Sequence, residues 1–239
     1  MDTIYNYIAE NLKTVRGRIE TACAAAGRDP SEVLLMAVSK TQPEEKLAAA
    51  VAEGQTLFGE NRVQELMQKN SFFRKHGADC HIIGTLQTNK VKYLPDMTGF
   101  IQSVDSLKLA REISKQYSKA GRTADILIEL NIGDEDSKSG ADPDQAEELA
   151  CAVSELDSVR LRGFMCIPPI CEGDLVRRYF SKMYRIYSDI ASKKIPGADI
   201  SVLSMGMSDD FEYAVLEGST LVRVGRGIFG ERIYNTAQG

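Results

Sequence analysis

Eight short apolar runs recur along this chain, each followed by a polar or amphipathic segment, and this alternation restricts the fold more than any other feature. The runs lie at 33–38, 56–59, 80–85, 100–104, 125–132, 159–167, 200–205 and 221–224. Helix-like stretches are expected between them at 43–53, 62–76, 88–93, 106–120, 143–156, 174–193 and 209–217. Pro43 and Pro143 suit first helical turns, and Gly54, Gly121 and Gly218 fall where left-handed C-terminal caps form. Ahead of the first run, Ile4, Ile8, Leu12, Val15 and Ile19 recur at three- and four-residue intervals, which predicts an amphipathic helix ended by Gly27. Apolar runs without alternation are buried on both faces, as in parallel sheets covered by helices. The pattern therefore predicts an α/β fold: one (β/α)8 TIM barrel over 1–239, with 1–27 as an additional N-terminal helix packed on it. An open, doubly wound sheet is the alternative arrangement of the same units.

The charge balance narrows the partners. With 29 Lys and Arg against 34 Asp and Glu, the formal charge is −5 and no basic block stands out, so neither nucleic acid nor an anionic membrane is an expected partner. No apolar run approaches the roughly 20 residues of a membrane helix, and the first residues lack the basic and apolar regions of a signal peptide, so a cytoplasmic protein is expected. The five cysteines, Cys23, Cys80, Cys151, Cys166 and Cys171, are scattered without a C-x-x-C pair, which argues against a disulfide framework. His76 and His81 have no metal-ligand spacing, so no metal site is expected.

Chemistry enters at the ends of three runs. Val33-Leu34-Leu35-Met36-Ala37-Val38-Ser39-Lys40 ends on a lysine where α/β proteins place reactive groups. A desolvated amine there loses its proton readily and becomes a nucleophile for an aldehyde; the alternative is a strand-end lysine reaching solvent. Leu203-Ser204-Met205-Gly206-Met207-Ser208-Asp209-Asp210 and Val222-Arg223-Val224-Gly225-Arg226-Gly227 end the seventh and eighth runs. In barrels, those two loops and a helix N-terminus often hold phosphate: Ser204 offers a hydroxyl, while Gly206, Gly225 and Gly227 allow close backbone approach. A phosphate site and a strand-end lysine thus fall on one barrel face.

Six motifs then resemble, in order, those of the pyridoxal phosphate (PLP) homeostasis proteins, which are similar in fold to the barrel domain of bacterial alanine racemases. They are Ala37-Val38-Ser39-Lys40, Phe58-Gly59-Glu60-Asn61-Arg62-Val63-Gln64-Glu65, Ile83-Gly84-Thr85-Leu86-Gln87-Thr88-Asn89-Lys90, Asp136-Ser137-Lys138-Ser139-Gly140, Leu203-Ser204-Met205-Gly206-Met207-Ser208 and Val222-Arg223-Val224-Gly225. The resemblance implies that Lys40 carries PLP as an internal aldimine. It further implies that Ser204 and the backbone around Gly206, Gly225 and Arg226 hold the phosphate, that Arg223 faces the pyridine nitrogen and that Asn61 lines the pocket. Two positions depart from many relatives: Arg226 replaces a threonine or serine, and Thr85 replaces a histidine. Arg226 either pairs with the phosphate or points to solvent with only its N–H in place. Lys138, in the polar loop 133–140, is either a rim group that captures the aldehyde or part of a solvated turn.

The implied function is a carrier that binds PLP, buffers its intracellular level and delivers it to PLP-dependent apoenzymes, without catalytic turnover. The alternative is a PLP-dependent amino-acid racemase. A two-base racemase needs an acid/base group opposite the lysine, which in alanine racemases is a tyrosine from a separate β domain of the partner subunit. The chain reaches Gly239 soon after the eighth run, so that domain is not expected; Tyr213 and Tyr234 are the remaining candidates, and a monomer is expected. A scaffold without cofactor leaves the coincident lysine, arginine and phosphate loops unexplained.

Overall fold

The eight apolar runs become eight parallel strands that close on themselves in the order β1-β2-β3-β4-β5-β6-β7-β8. This is seen in a computed structural model that describes residues 3–133 and 139–231. The strands are β1 (Leu34–Val38), β2 (Leu57–Glu60), β3 (Asp79–Ile82), β4 (Phe100–Val104), β5 (Ala124–Leu130), β6 (Val159–Cys166), β7 (Val202–Ser204) and β8 (Leu221–Val224). Closure is made by β8 against β1, in the register Leu34↔Leu221 to Ala37↔Val224. The closed barrel, not the open sheet, is therefore the arrangement adopted.

Around it run α1 (Asn6–Ala26), α2 (Glu44–Ala52), α3 (Val63–His76), α4 (Leu107–Lys119), α5 (Ala146–Ser154), α6 (Asp174–Ser192), α7 (Phe211–Leu216) and the single turn α8 (Arg226–Phe229). A 3-10 turn, Thr88–Tyr93, replaces a full helix between β3 and β4. Side chains alternate along each strand. Ala37, Phe58, Ile82, Ile126, Phe164, Leu203 and Val222 join the large core between sheet and helices. Met36, Ile83 and Leu221 form a separate cluster inside the barrel. Cys23, Cys80 and Cys166 are buried in the manner of small apolar residues.

The additional N-terminal helix follows its sequence pattern except at one end. Ile8, Leu12, Val15 and Ile19 are buried, and Gly27 caps the helix with φ of 65°. Ile4 is 74% exposed, because it precedes the helix in a 3-10 turn and falls off the buried stripe. The helix also supports the end of the chain's last βα unit. Asn11 Nδ2 donates to Ile228 O at 2.9 Å, Tyr7 Oη donates to Phe229 O at 3.1 Å, and Arg18 pairs with Glu212 of α7 through two hydrogen bonds of 2.9 and 2.6 Å. The turn after β8 is thus fastened from outside.

One irregularity shapes the barrel. Ile126 pairs with Leu161 but Leu127 pairs with Gly163, so β6 carries a bulge. Gly163 has φ of 141°, and a Cβ there would lie 1.9 Å from Val202 O. Gly163→Ala is therefore expected to destabilise the fold by about 3 kcal/mol or more, combining left-handed strain with a backbone clash. Urea unfolding checks this; an unchanged midpoint would mean that β6 and β7 separate at little cost.

Candidate functional site

At the C-terminal ends of β1, β2 and β8 the barrel opens into a cavity of about 180 Å³. Its wall includes Lys40, Asn61, Ser208, Arg223, Gly225 and Arg226. Lys40 lies just past β1 and is half-buried. Met36 belongs to the barrel interior, so alternation along the strand turns Lys40 inward as well. Asn61 follows β2, held close to the β3 end by Gly84, where a Cβ would lie 2.5 Å from Asn61 O.

Arg223 sits at the base of the cavity and is 3% exposed. Its guanidinium is held by a relay across the barrel interior. Nη2 donates to Cys166 O at 2.9 Å, and Nη1 donates to Ser204 Oγ at 2.6 Å. Ser204 Oγ in turn donates to Gln102 Oε1 at 2.7 Å. The distance from Gln102 Nε2 to His81 Nδ1 is 3.0 Å. Burial pushes the His81 pKa down to about 3, so the ring is neutral. Because Gln102 Oε1 already accepts from Ser204, its Nε2 faces the neutral ring and, as an amide nitrogen, donates, so Nδ1 is the acceptor. His81 stacks on Phe100 with ring centroids 4.2 Å apart.

Two acids also face Arg223. Burial pushes Glu129 up to about 7, against the lowering effect of the guanidinium. Asp210 is likewise raised by burial, although Met207 N donates to its Oδ1 at 2.5 Å. Burial lowers the pKa of Arg223 itself. Even so, a guanidinium stays protonated in proteins.

The loops after β7 and β8 meet at Ser208. Its Oγ accepts from Gly225 N at 3.2 Å and Gly227 N at 3.3 Å. Two backbone amides therefore converge on one point beside the cavity, with a hydroxyl between them. Arg226 pairs with Asp209 and, at 3.7 Å, with Glu231, so its guanidinium lies at the rim among carboxylates.

The structure brings Lys40, Asn61, Arg223, Gly225 and Arg226 to one cavity, as the sequence predicts, but places Ser204 and Gly206 elsewhere. Ser204 belongs to β7 and turns into the barrel, where Arg223 and Gln102 take its hydroxyl. Gly206 has φ of 93°; a Cβ there would lie 2.5 Å from Ala214 Cβ, and its carbonyl accepts from Arg223 N at 2.9 Å. It is a packing glycine beneath α7. The cavity wall starts farther along, at Met207 and Ser208. Ser208 stands inside a quoted motif, yet only its amide partners two residues apart on the next loop reveal its place. Tyr213 packs against the core, Thr85 Oγ1 shares a hydrogen bond with Ser139 Oγ at 2.8 Å, and Lys138 and Tyr234 lie outside the described residues. Among the described residues no group of three or more His, Cys, Asp and Glu side chains is placed to hold a metal, and no helix is long and apolar enough to cross a membrane.

The donor set suits a phosphorylated pyridine aldehyde: convergent amides and a hydroxyl for the phosphate, a buried guanidinium for a ring nitrogen and an amine for the aldehyde. Comparison with known proteins points the same way. A family model described as the alanine racemase N-terminal domain matches residues 8–233. The pyridoxal phosphate homeostasis protein of Escherichia coli is 41% identical over 233 residues, covering 96% of this chain and 99% of the relative. The one from Aquifex aeolicus is 41% identical over 226 residues, covering 94% and 98%. The structure of PipY from Synechococcus elongatus with PLP bound superposes with a TM-score of 0.82 at 32% identity, covering 93% of this chain and 100% of that one. Matched along nearly its whole length in sequence and in fold, the chain belongs to the family of the pyridoxal phosphate homeostasis proteins, whose barrel is that of the alanine racemase N-terminal domain.

Proposed function

We propose that this protein holds pyridoxal 5′-phosphate in the cavity and buffers its level, as a carrier rather than a catalyst of amino-acid conversion. The observation that carries the reading is that Lys40, Arg223, Ser208 and Gly225 border a single cavity, with the Gly225 and Gly227 amides both donating to the Ser208 hydroxyl. PipY, which this chain matches along its whole length, is known with PLP bound, and curated relatives carry the homeostasis name. Lys40 would supply the amine that holds the aldehyde covalently, with release of water, in a link reversible by hydrolysis or by a competing amine. Ser208 Oγ and the Gly225 and Gly227 amides would hold the phosphate, with Arg226, paired to Asp209 and Glu231, at the rim. Apoenzymes that need the cofactor are the partners this reading implies.

When bound, PLP supplies an electron sink for carbanion chemistry, strongest when its ring nitrogen is protonated. Arg223 works against that. A guanidinium donates hydrogen bonds and accepts none, so it holds the nitrogen unprotonated. A racemase reading also needs an acid/base group opposite Lys40, and no tyrosine lines the cavity among the described residues. Both features favour retention of the cofactor over turnover.

Borohydride reduction and peptide mapping test the attachment. A reduced pyridoxyl adduct is expected on Lys40, and both adduct and visible absorption band are expected to vanish in Lys40→Ala. A principal adduct on another lysine would reject the assignment.

Arg223→Glu, where it still folds and loads, offers a proton acceptor to the ring nitrogen. It is expected to exchange the α-hydrogen of an added amino acid with deuterated solvent about tenfold faster than wild type or more, for a change of about 1.4 kcal/mol in the barrier. Nitrogen-15 NMR of labelled cofactor checks the contact directly, since an unmoved ring-nitrogen signal in the variant would reject it.

The acid facing Arg223 gives a check that needs no cofactor. Glu129 is raised from 4.5 to about 7 in the folded protein. The folded state therefore binds its proton more tightly than the unfolded chain, and the associated stability is full below the unfolded value and is lost as pH rises through 7. Glu129→Gln cannot ionise. Its melting temperature relative to wild type is expected to rise between about pH 5 and pH 8; a flat difference would place the Glu129 titration elsewhere.

A further inference from the structure

The turn that carries Lys40 is held from both sides by a buried charge cluster that the binding reading does not use. Ser39, the preceding residue, is fully buried. Its Oγ donates to Glu60 Oε1 at 2.7 Å, and its carbonyl accepts from Lys69 Nζ at 2.8 Å. Thr41, the following residue, has φ of 63°, a left-handed conformation that a β-branched residue rarely adopts. Its amide donates to Glu65 Oε2 at 2.7 Å. Lys69 Nζ joins the two anchors: it pairs with Glu60 Oε1 at 2.7 Å and with Glu65 Oε2 at 3.6 Å.

These groups come from one local stretch. Glu60 ends β2, while Glu65 and Lys69 stand one turn apart on α3. Glu60 is completely buried and its Oε2 has no hydrogen-bond partner, while Lys69 is 8% exposed. A buried ion pair of this kind adds little net stability relative to apolar packing, but it fixes direction. Here it fixes Ser39 toward α3, on the outer face of the sheet. Lys40 is then turned to the inner face, into the cavity, because neighbours on an extended chain point to opposite sides.

We propose that Lys69, with Glu60 and Glu65, is a positioning residue that holds the Lys40 amine at the aldehyde-binding point, by tying the peptide groups on both sides of it. This rests on the reading of Lys40 as the attachment point. A pre-set backbone spares the amine the ordering cost of bonding, so the benefit falls on the covalent bond and not on phosphate or ring binding.

The test compares two ligands on the full chain: PLP, and pyridoxine 5′-phosphate, which has the same ring and phosphate but no aldehyde. In Lys69→Met the affinity for PLP is expected to fall about tenfold or more, the loss of a charged hydrogen bond, while that for pyridoxine 5′-phosphate stays within about twofold. The pH midpoint of the visible band is expected to shift as well, a readout that general loosening does not select. Equal weakening of both ligands, or no change in either, overturns the proposal. If Lys69→Met does not fold, Glu65→Gln, at the residue that bonds the Thr41 amide and pairs with Lys69, is expected to lower PLP affinity about threefold with pyridoxine 5′-phosphate unaffected; an unchanged PLP affinity overturns it. Borohydride mapping of the wild type in the same series separates the two levels: an adduct away from Lys40 removes the attachment reading and the proposal together, whereas a Lys40 adduct with unselective variants removes the proposal alone.

Discussion

The pairing of β8 with β1 is the contact on which the site depends. Leu221 to Val224 lie in register beside Leu34 to Ala37, across more than three-quarters of the chain. Only that closure places the loop carrying Lys40 beside the loop carrying Gly225 and Gly227. An open sheet built from the same units leaves its first strand without the last strand as neighbour, so the amine and the amides would not meet. The additional helix α1 serves the same junction from outside, taking the Ile228 and Phe229 carbonyls that the short α8 cannot satisfy internally. Fold and site therefore share one structural seam.

Closure also creates a problem, because the barrel interior must be filled. Apolar side chains fill part of it, and the rest is polar: His81, Gln102, Ser204 and Arg223 in a single hydrogen-bonded series. Each member is satisfied by the next, which offsets the cost of burying polar atoms without water. The direction of donation is consistent from end to end. Ser204 spends its one proton on Gln102, so it meets Arg223 only as an acceptor, and the amide of Gln102 has one orientation. The guanidinium is fixed accordingly.

Much of this was legible in the residues. The eight runs, their order and the buried stripe of α1 follow from apolar spacing alone, because each strand is buried on both faces and each helix on one. Lys40, Arg223 and Gly225 were readable as strand-end positions on one rim. Ser204 lies in the strand and not in the loop after it, which sequence does not reveal for a physical reason: a hydroxyl one residue before or after a strand end lies on opposite sides of the sheet, and sequence does not mark where β7 stops. Ser208, two residues past Gly206, was thereby overlooked. Lys69 carried no signal at all. In α3 it reads as one more polar residue on an exposed helix face, and only the three-dimensional approach of Ser39 and Glu60 buries it.

The way Arg223 is held bears on what its charge does. Its hydrogen-bond partners are a hydroxyl and a backbone carbonyl, both neutral, and among the described residues no carboxylate lies within ion-pair distance of it. Glu129 and Asp210 act on it only through space, and burial raises Glu129 to about 7, which weakens its ability to neutralise the guanidinium near neutral pH. A salt-bridged arginine would present a dipole to the cavity, whereas this one presents a charge in a low-dielectric wall. Such a charge attracts the phosphate at long range and disfavours a second positive charge on a ring nitrogen at short range. On the proposed function, one side chain would both draw the cofactor in and disfavour chemistry on a bound amino acid, the combination a reservoir for a reactive aldehyde requires.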